Sequence, residues 1–210
     1  YGYGHVVQAE LDAGGDPNDC GSQGIPAVSI CSSVDIVKTL VAHGADINRG
    51  KPSPVVYHLM QSSSSNNEVA LYLLGLGVDL SGLTDANGTT ALHHAAKVSN
   101  PQVLVELIKL GFNPNEIDPV TGQTALAMAR FVENTRVLLA AGANPNIGRI
   151  PPICVAAANN NLAVIMELVK SGGVLIDLPR AEADATALCL ATWNNFRDIM
   201  NFLIKNCADQ

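Results

Sequence analysis

One phrase recurs along this chain: an apolar helical stretch, a small residue, and a short polar turn that contains Asp or Asn. It occurs seven times, with glycine as the small residue in six copies and cysteine in the last. These positions are Gly14, Gly44, Gly77, Gly111, Gly142, Gly172 and Cys207. They lie 30, 33, 34, 31, 30 and 35 residues apart. This period predicts an array of small units that pack on their neighbours, in place of one closed core.

The clearest unit covers residues 85–115 and contains TALHHAA at 90–96. Shorter versions of the phrase are TALAMA at 124–129, PICVAA at 152–157 and TALCLA at 186–191, each at the same place in its unit. A period near 33 with a Thr-Pro-Leu-His-x-Ala phrase is the signature of ankyrin repeats, and the chain resembles that family.

The resemblance implies an all-α ankyrin-repeat solenoid of stacked helix-turn-helix units with projecting β-hairpin loops. We expect one array of seven repeats over residues 1–210. Its repeats are 1–19 (partial), 20–48, 49–81, 82–115, 116–146, 147–177 and 178–210. Because the first repeat lacks a recognisable first helix, its apolar flank would be bare. We therefore expect the chain to be a fragment of a longer protein.

Local chemistry in the clearest unit agrees with this fold. Ala95 and Ala96 leave room for a partner helix to pack closely, and apolar residues recur at helical spacing between 103 and 108. Gly111 can end that helix in the left-handed conformation, and Asn87-Gly88 predicts a tight hairpin turn.

The units differ in length at the turn between their two helices. This turn is predicted to be clipped in the second and fifth units. In the third unit the polar stretch 61–67 predicts a longer loop.

Charge and cysteine content narrow the function classes. Nineteen acidic and 12 basic residues give a formal net charge of -7, and the cations are scattered, so a nucleic-acid partner is not expected. No apolar run is long enough to span a bilayer, so membrane insertion is not expected either. Five cysteines without a Cys-x-x-Cys pair indicate a reducing compartment. We expect a cytoplasmic protein, or one in the host cytosol if the chain is a bacterial effector.

The histidines and cysteines that could bind a metal or act as nucleophiles are better explained by structural roles. His93-His94 has no neighbouring ligands that would complete a metal site, and the resemblance gives His93 a role in bridging loops. Only Cys20 and Cys207 look exposed, and neither has a histidine close in sequence. We expect no catalytic residue, metal or cofactor, and hence no enzyme.

The stretch LVAHGADIN at 40–48 is similar to sequences in which the family is hydroxylated at asparagine. Asn48 is therefore a candidate for modification, although a structural role in the hairpin loop is the stronger interpretation.

The resemblance implies that hairpin tips and the ends of first helices form a concave face for a polypeptide partner. Its candidate residues are Lys51, Asn87, Thr89, Lys97, Gln123, Arg130, Arg149, Asn159, Asp184, Trp193 and Asn194. The middle of this face is mildly basic, which predicts a partner with an acidic stretch and an apolar anchor near Trp193. Alternatively, Trp193 folds over the end of the array as a lid.

The predicted function is a non-catalytic protein-protein interaction module, monomeric by its surface polarity. The alternative is a substrate- or host-target-recruiting arm of a larger multidomain protein, such as a secreted bacterial effector or a modifying enzyme.

Overall fold

A computed structural model describes residues 4–20, 24–61, 63–179 and 185–207. These residues form thirteen α-helices and one 3-10 turn, Leu80–Gly82. The helices are α1 (Gly4–Asp12), α2 (Ala27–Ile30), α3 (Val34–Ala42), α4 (Pro54–Gln61), α5 (Ser64–Gly75), α6 (Ala91–Lys97), α7 (Pro101–Lys109), α8 (Ala125–Met128), α9 (Val132–Ala140), α10 (Pro152–Ala158), α11 (Leu162–Lys170), α12 (Ala187–Trp193) and α13 (Arg197–Cys207). Within the described ranges, no helix has both the length and the apolar character needed to cross a membrane.

The chain divides into two compact units, Tyr1–His94 and Ala95–Gln210, and the boundary falls inside α6. Below, these two compact units are called unit 1 and unit 2, and each helix pair of the array is called a repeat.

In unit 1, α2 and α4 are the first helices of their repeats and pack against each other, while α3 packs on both α1 and α5. Each contact buries the apolar stripe of one helix against the next. Val28, Val37 and Val55 are almost fully buried in this way. Burial of these stripes is the main stabilising contribution in such a stack.

Unit 2 repeats this arrangement, with α10 packing between α8 and α12, and α9 packing between α7 and α11. The expectations for the clearest repeat are confirmed here. Ala95, Ala96 and the stripe residues Val103, Leu104 and Leu107 are fully buried, which permits close helix packing. Gly111 follows α7 with φ +94°, the left-handed conformation expected of a residue that ends a helix.

The predicted hairpin turn at Asn87-Gly88 is also present. Thr84 and Thr90 form an antiparallel bridge, and the N–H of Asp85 donates to the carbonyl of Thr89 at 2.9 Å. Gly88 has φ +84°. A second antiparallel bridge joins Ile117 to Thr124.

The clipped turns of the second and fifth repeats correspond to short first helices. The first helices α2 and α8 have four residues each, whereas α10 and α12 have seven. Thus in the second and fifth repeats it is the last turn of the first helix that is missing.

The predicted long loop at 61–67 is wrong. The helix α5 begins at Ser64, and the side chain of Ser63 caps it by accepting a hydrogen bond from the N–H of Asn66 at 3.2 Å. The polar residues that suggested a loop are the cap and first turn of this helix.

Asparagine side chains join neighbouring repeats at the position four residues after the small residue of the turn. In unit 1, Asn18 Oδ1 accepts the N–H of Asp46 at 2.6 Å, and Asn48 Oδ1 accepts the N–H of Asp79 at 2.7 Å. In unit 2, Asn146 Oδ1 accepts the N–H of Leu175 at 2.8 Å. We call these contacts, together with the equivalent contact of Asn115, the asparagine rungs. They satisfy backbone donors that the loops leave unpaired.

Candidate functional site

A groove opens in unit 2 where α8 stops after one turn. Thr124 caps the start of α8 by accepting the N–H of Ala127 at 3.3 Å, and Ala129 then turns into an extended conformation (φ −66°, ψ 123°). The missing last turn leaves a space of about 230 Å³. Its lining residues are Lys97, Thr121, Gln123, Ala127, Met128, Ala129, Arg130, Val155, Ala156, Asn159 and Asn161. We call this space the α8 groove.

Four residues predicted from the sequence line the α8 groove together: Lys97, Gln123, Arg130 and Asn159. Lys97 and Gln123 are half-buried, while Arg130 and Asn159 are exposed. The small residues Ala127, Ala129 and Ala156 are buried among the lining residues. Small apolar residues combined with long polar side chains can accept a side chain of a partner.

The α8 groove is electropositive. Among the described residues, no carboxylate forms an ion pair with Lys97 or Arg130, although Lys109 pairs with Glu106 and Arg136 with Glu167. Two cations without an acidic partner attract a carboxylate supplied from outside.

Two asparagine side chains donate hydrogen bonds to backbone carbonyls at the border of the groove. Asn161 Nδ2 donates to the carbonyl of Arg130 at 2.8 Å, so the residue after the short helix has a fixed backbone position. Asn159 Nδ2 donates to the carbonyl of Val155 at 2.9 Å, which caps α10. Both hydrogen bonds fix backbone at the border of the groove.

The remaining predicted residues of unit 2 lie outside this groove. Arg149 is exposed beside the tip glycine Gly122, and its N–H donates to the carbonyl of Gly122 at 2.8 Å. Asn194 caps α12 by donating from Nδ2 to the carbonyl of Leu190 at 2.8 Å. Asp184 lies outside the described residues.

Trp193 is 69% exposed at the end of α12. A side chain this exposed differs from the alternative of a lid folded over the end of the array, which would bury the indole. A large aromatic surface open to solvent is instead typical of a residue that contacts a partner.

The predicted residues of unit 1 have mixed surroundings. Lys51 is exposed and lines a cleft of about 420 Å³ together with Asn48 and Asp79, and Asn87 is exposed at its hairpin tip. Thr89 is only 6% exposed, so it offers a partner little surface. Asn48 is exposed, but its Oδ1 forms a rung to Asp79 in the next repeat, a contact that reaches beyond its own loop.

The two adjacent histidines have structural partners. His93 Nδ1 contacts Thr90 Oγ1 at 2.8 Å, and His94 Nε2 lies 3.0 Å from Asp85 Oδ2. Burial raises the pKa of Asp85, but hydrogen bonds from the N–H of Asn87, from His94 and from the N–H of Thr89 outweigh it and hold the pKa below its ordinary value. In the described part of the chain, no three His, Cys, Asp or Glu side chains are grouped as metal ligands.

Cysteine exposure differs from the expectation. Cys20 is half-buried and Cys189 is exposed, while the side chain of Cys207 lies outside the description. The Thr186 hydroxyl lowers the pKa of Cys189. Thr186 Oγ1 donates to this thiol at 3.5 Å, and a hydroxyl is not the base that a nucleophilic cysteine needs.

Sequence reasoning missed two sets of residues. One comprises Thr121, Met128 and Asn161, which line the α8 groove only because α8 ends early. The other is the asparagine rungs, whose signal is an Asn that returns four residues after the repeated small residue.

Comparison with known proteins shows a similarity to ankyrin repeats in both sequence and fold. Residues 58–149 match a family model described as ankyrin repeats, in three copies. The crystal structure of the human ASB11 ankyrin repeat domain is similar, with 19% sequence identity, coverage of 97% of each chain and a TM-score of 0.77. At this identity the likeness shows a shared fold. A search of curated protein sequences gave no match.

Proposed function

We propose that this chain, which carries ankyrin repeats, is a non-catalytic module that binds another protein. Ankyrin repeats are generally protein-protein interaction modules. The fold alone does not name a partner, so the partner's chemistry is inferred from the surface of this chain.

The α8 groove is the observation that carries the proposal. It combines a small-residue lining with Lys97 and Arg130, which have no acidic partner among the described residues. We infer that it receives an Asp or Glu side chain of an extended polypeptide. Gln123 and Asn159 are proposed to contact the partner's backbone with their side-chain amides.

The proposed surface extends beyond the groove to Arg149, Asn194 and Trp193, where an apolar residue of the partner would pack on the exposed indole. In unit 1, Lys51 and Asn87 are proposed as further contacts. The module is proposed to act as a monomer.

An intracellular setting is proposed on the basis of Cys154. Its side chain is fully buried and its thiol donates to the carbonyl of Leu178 at 3.4 Å, a role that requires the reduced form. If the chain is the substrate- or host-target-recruiting arm of a larger multidomain protein, we propose that it binds its target through the same residues.

The test is a selection of peptide ligands followed by affinity measurement. Random 12-residue peptides displayed on phage would be selected on the purified chain, and the selected sequences synthesised. We expect them to be enriched in Asp and Glu. Isothermal titration should show that Lys97→Ala combined with Arg130→Ala weakens binding about tenfold or more, a loss of roughly 1.4 kcal/mol.

The matched control is Arg197→Ala combined with Lys205→Ala, two exposed cations of the same unit outside the groove. It should leave the affinity unchanged. Equal losses in both double variants would show that the peptides respond only to net charge, and no loss in the first would place their binding site elsewhere.

A further inference from the structure

The α8 groove of unit 2 contains two cations and no acid. Lys97 and Arg130 line it, and none of the other described residues that line it is an Asp or a Glu. A partner's carboxylate carries one negative charge, so it would leave one of these two cations uncompensated. A phosphorylated side chain carries about −1.5 to −2 at neutral pH, which matches the charge of the groove.

The hydrogen-bond donors of both cations are unused. In the described part of the chain, the side-chain nitrogens of Lys97 and Arg130 form no hydrogen bond or ion pair, and the side-chain amide of Gln123 forms none either. The guanidinium of Arg130 offers its N–H groups as a planar fork, and the ammonium of Lys97 offers three more donors. A phosphate monoester presents three strong acceptor oxygens, one more than a carboxylate, and therefore uses more of these donors.

Backbone oxygens beside the groove are paired. The helices α6, α8 and α10 all end at the groove, and carbonyls at helix C-termini carry partial negative charge that repels an anion. Asn134 Nδ2 donates to the carbonyls of the residues on either side of Lys97, at 3.0 and 2.7 Å. Asn161 Nδ2 donates to the carbonyl of Arg130 at 2.8 Å. These hydrogen bonds reduce the negative charge that the backbone presents next to both cations.

The size of the α8 groove agrees with a single side chain. Its volume of about 230 Å³ lies below the roughly 300–1,000 Å³ of pockets that enclose small molecules. Ala127, Ala129 and Ala156 belong to its lining, and such small residues allow a partner's backbone to approach closely. The groove therefore favours a short phosphorylated side chain, such as phosphoserine, over a larger phosphate compound.

We infer that the α8 groove prefers a phosphorylated side chain of the partner to an unmodified Asp or Glu. This inference rests on the proposed function, because it takes the α8 groove as the site for an acidic polypeptide. The phosphate accepts charge-assisted hydrogen bonds from Lys97 and Arg130, and the guanidinium fork binds two of its oxygens. Phosphorylation of the partner thereby strengthens its binding to this chain, and removal of the phosphate weakens it.

The test compares three synthetic peptide pools that differ at one position. Each peptide has nine residues, with phosphoserine, Asp or Ser at the centre and a mixture of uncharged residues at the other positions. Fluorescence anisotropy of the labelled pools with the full chain measures their affinities. We expect the phosphoserine pool to bind at least tenfold more tightly than the Asp pool, and the Asp pool to bind more tightly than the Ser pool.

Variants assign the preference to the two cations. Lys97→Ala and Arg130→Ala each leave one cation in the groove, for which a doubly charged group has little advantage over a carboxylate. Each variant should therefore reduce the ratio of phosphoserine to Asp affinity from tenfold or more to about threefold or less. Arg197→Ala and Lys205→Ala each remove one exposed cation of unit 2 outside the groove and should leave the ratio unchanged. Far-ultraviolet circular dichroism checks that each variant is folded.

The outcomes separate this inference from the proposed function. Equal affinity of the phosphoserine and Asp pools, with the Ser pool weaker, would overturn the inference and leave the proposed function intact. Equal affinity of all three pools would overturn both. An unchanged ratio in Lys97→Ala and Arg130→Ala would place the phosphate elsewhere on the chain. Inorganic phosphate that competes with the phosphoserine pool at equal concentration would reassign the groove to a free phosphate compound.

Discussion

Asn115 binds the backbone two residues beyond the next turn glycine: its Oδ1 accepts the N–H of Asn144 at 2.7 Å. Its Nδ2 donates to the carbonyl of Gly142 at 3.1 Å. A single amide thus satisfies one donor and one acceptor of the neighbouring loop. Asn146 repeats the pattern one repeat later, with Gly173 and Leu175. Both contacts fix the spacing of adjacent loops at the end of the helix pairs.

Asn115→Ala is expected to lower the free energy of unfolding by about 1 kcal/mol, because two partly exposed hydrogen bonds between repeats are lost. Urea unfolding followed by circular dichroism measures this change. Asn206→Ala is the control, since the Asn206 amide donates only within its own helix, to the carbonyl of Phe202. A loss as large in the control as in Asn115→Ala would contradict a role of the rung between repeats.

Asn134→Asp is expected to destabilise the protein by roughly 3 kcal/mol at neutral pH. Asn134 is fully buried, and its Nδ2 donates to the carbonyls of Ala96 at 3.0 Å and Val98 at 2.7 Å. A carboxylate would face two carbonyl oxygens. Asn201→Asp, on the exposed side of α13, makes the same chemical change in solvent and should cost little. Equal losses of unfolding free energy for Asn134→Asp and Asn201→Asp in urea would contradict this interpretation.

The stability of Asn134→Asp should recover as the pH falls. Burial favours the neutral acid in the folded state, so the pKa of this aspartic acid is raised there above its unfolded value. The destabilisation caused by Asn134→Asp is therefore small below the unfolded pKa. It grows as the pH rises from the unfolded pKa through the folded pKa. Unfolding curves between pH 4 and 8 should converge with those of the unmodified chain at the acidic end.

His58 is expected to reduce stability in acid. Burial lowers its pKa, although hydrogen bonds to the Val28 carbonyl at 2.9 Å and to Asn66 Oδ1 at 3.3 Å act in the opposite direction. The unfolded chain therefore takes up a proton at a higher pH than the folded chain. The stability contributed by the neutral ring is present above the unfolded pKa of about 6.5 and decreases as the pH falls below it.

His58→Gln should accordingly flatten the decrease in unfolding free energy between pH 7 and 5. His43 has the opposite sign, because a hydrogen bond to the Thr39 carbonyl and one to Asp12 raise its pKa. Hence His43→Gln should steepen the same decrease. Parallel pH profiles for the two variants would contradict these assignments.

Gly122→Ala is expected to cost about 1 kcal/mol more than Gly142→Ala. Both glycines have positive φ, +68° and +85°, so both substitutions carry the backbone cost of that conformation. A Cβ at Gly122 would additionally lie 2.8 Å from Arg149 Cβ, whereas a Cβ at Gly142 has no atom within 4 Å. Thermal or urea unfolding of the two variants measures the difference, and equal costs would show that Arg149 moves aside freely.

The repeats could be predicted from the sequence because each of their signals is local. A glycine at the end of a helix, an Asn-Gly turn and an apolar stripe such as Val103, Leu104 and Leu107 depend on neighbouring residues alone. All three have the predicted place in the structure.

The α8 groove could not be predicted in the same way. Ala125–Met128 and the following Ala129 are residues that favour continuing a helix, and the helix ends at Met128 regardless. The length of the fifth repeat predicts a clipped turn, but the residues that line the groove are brought together by contacts between repeats, such as the hydrogen bond from Asn161 to the Arg130 carbonyl. Side-chain exposure was likewise uncertain from the sequence, as Thr89 and Cys189 show.

The short helix α8 also indicates that the surface of such an array can change through the length of its helices. A pocket produced by omitting one helical turn depends on backbone length, so shortening another first helix by one turn is expected to leave a comparable depression beside it. Insertion and deletion would thereby change the surface of this architecture in a way that point substitution does not. The second repeat has an equally short first helix, α2.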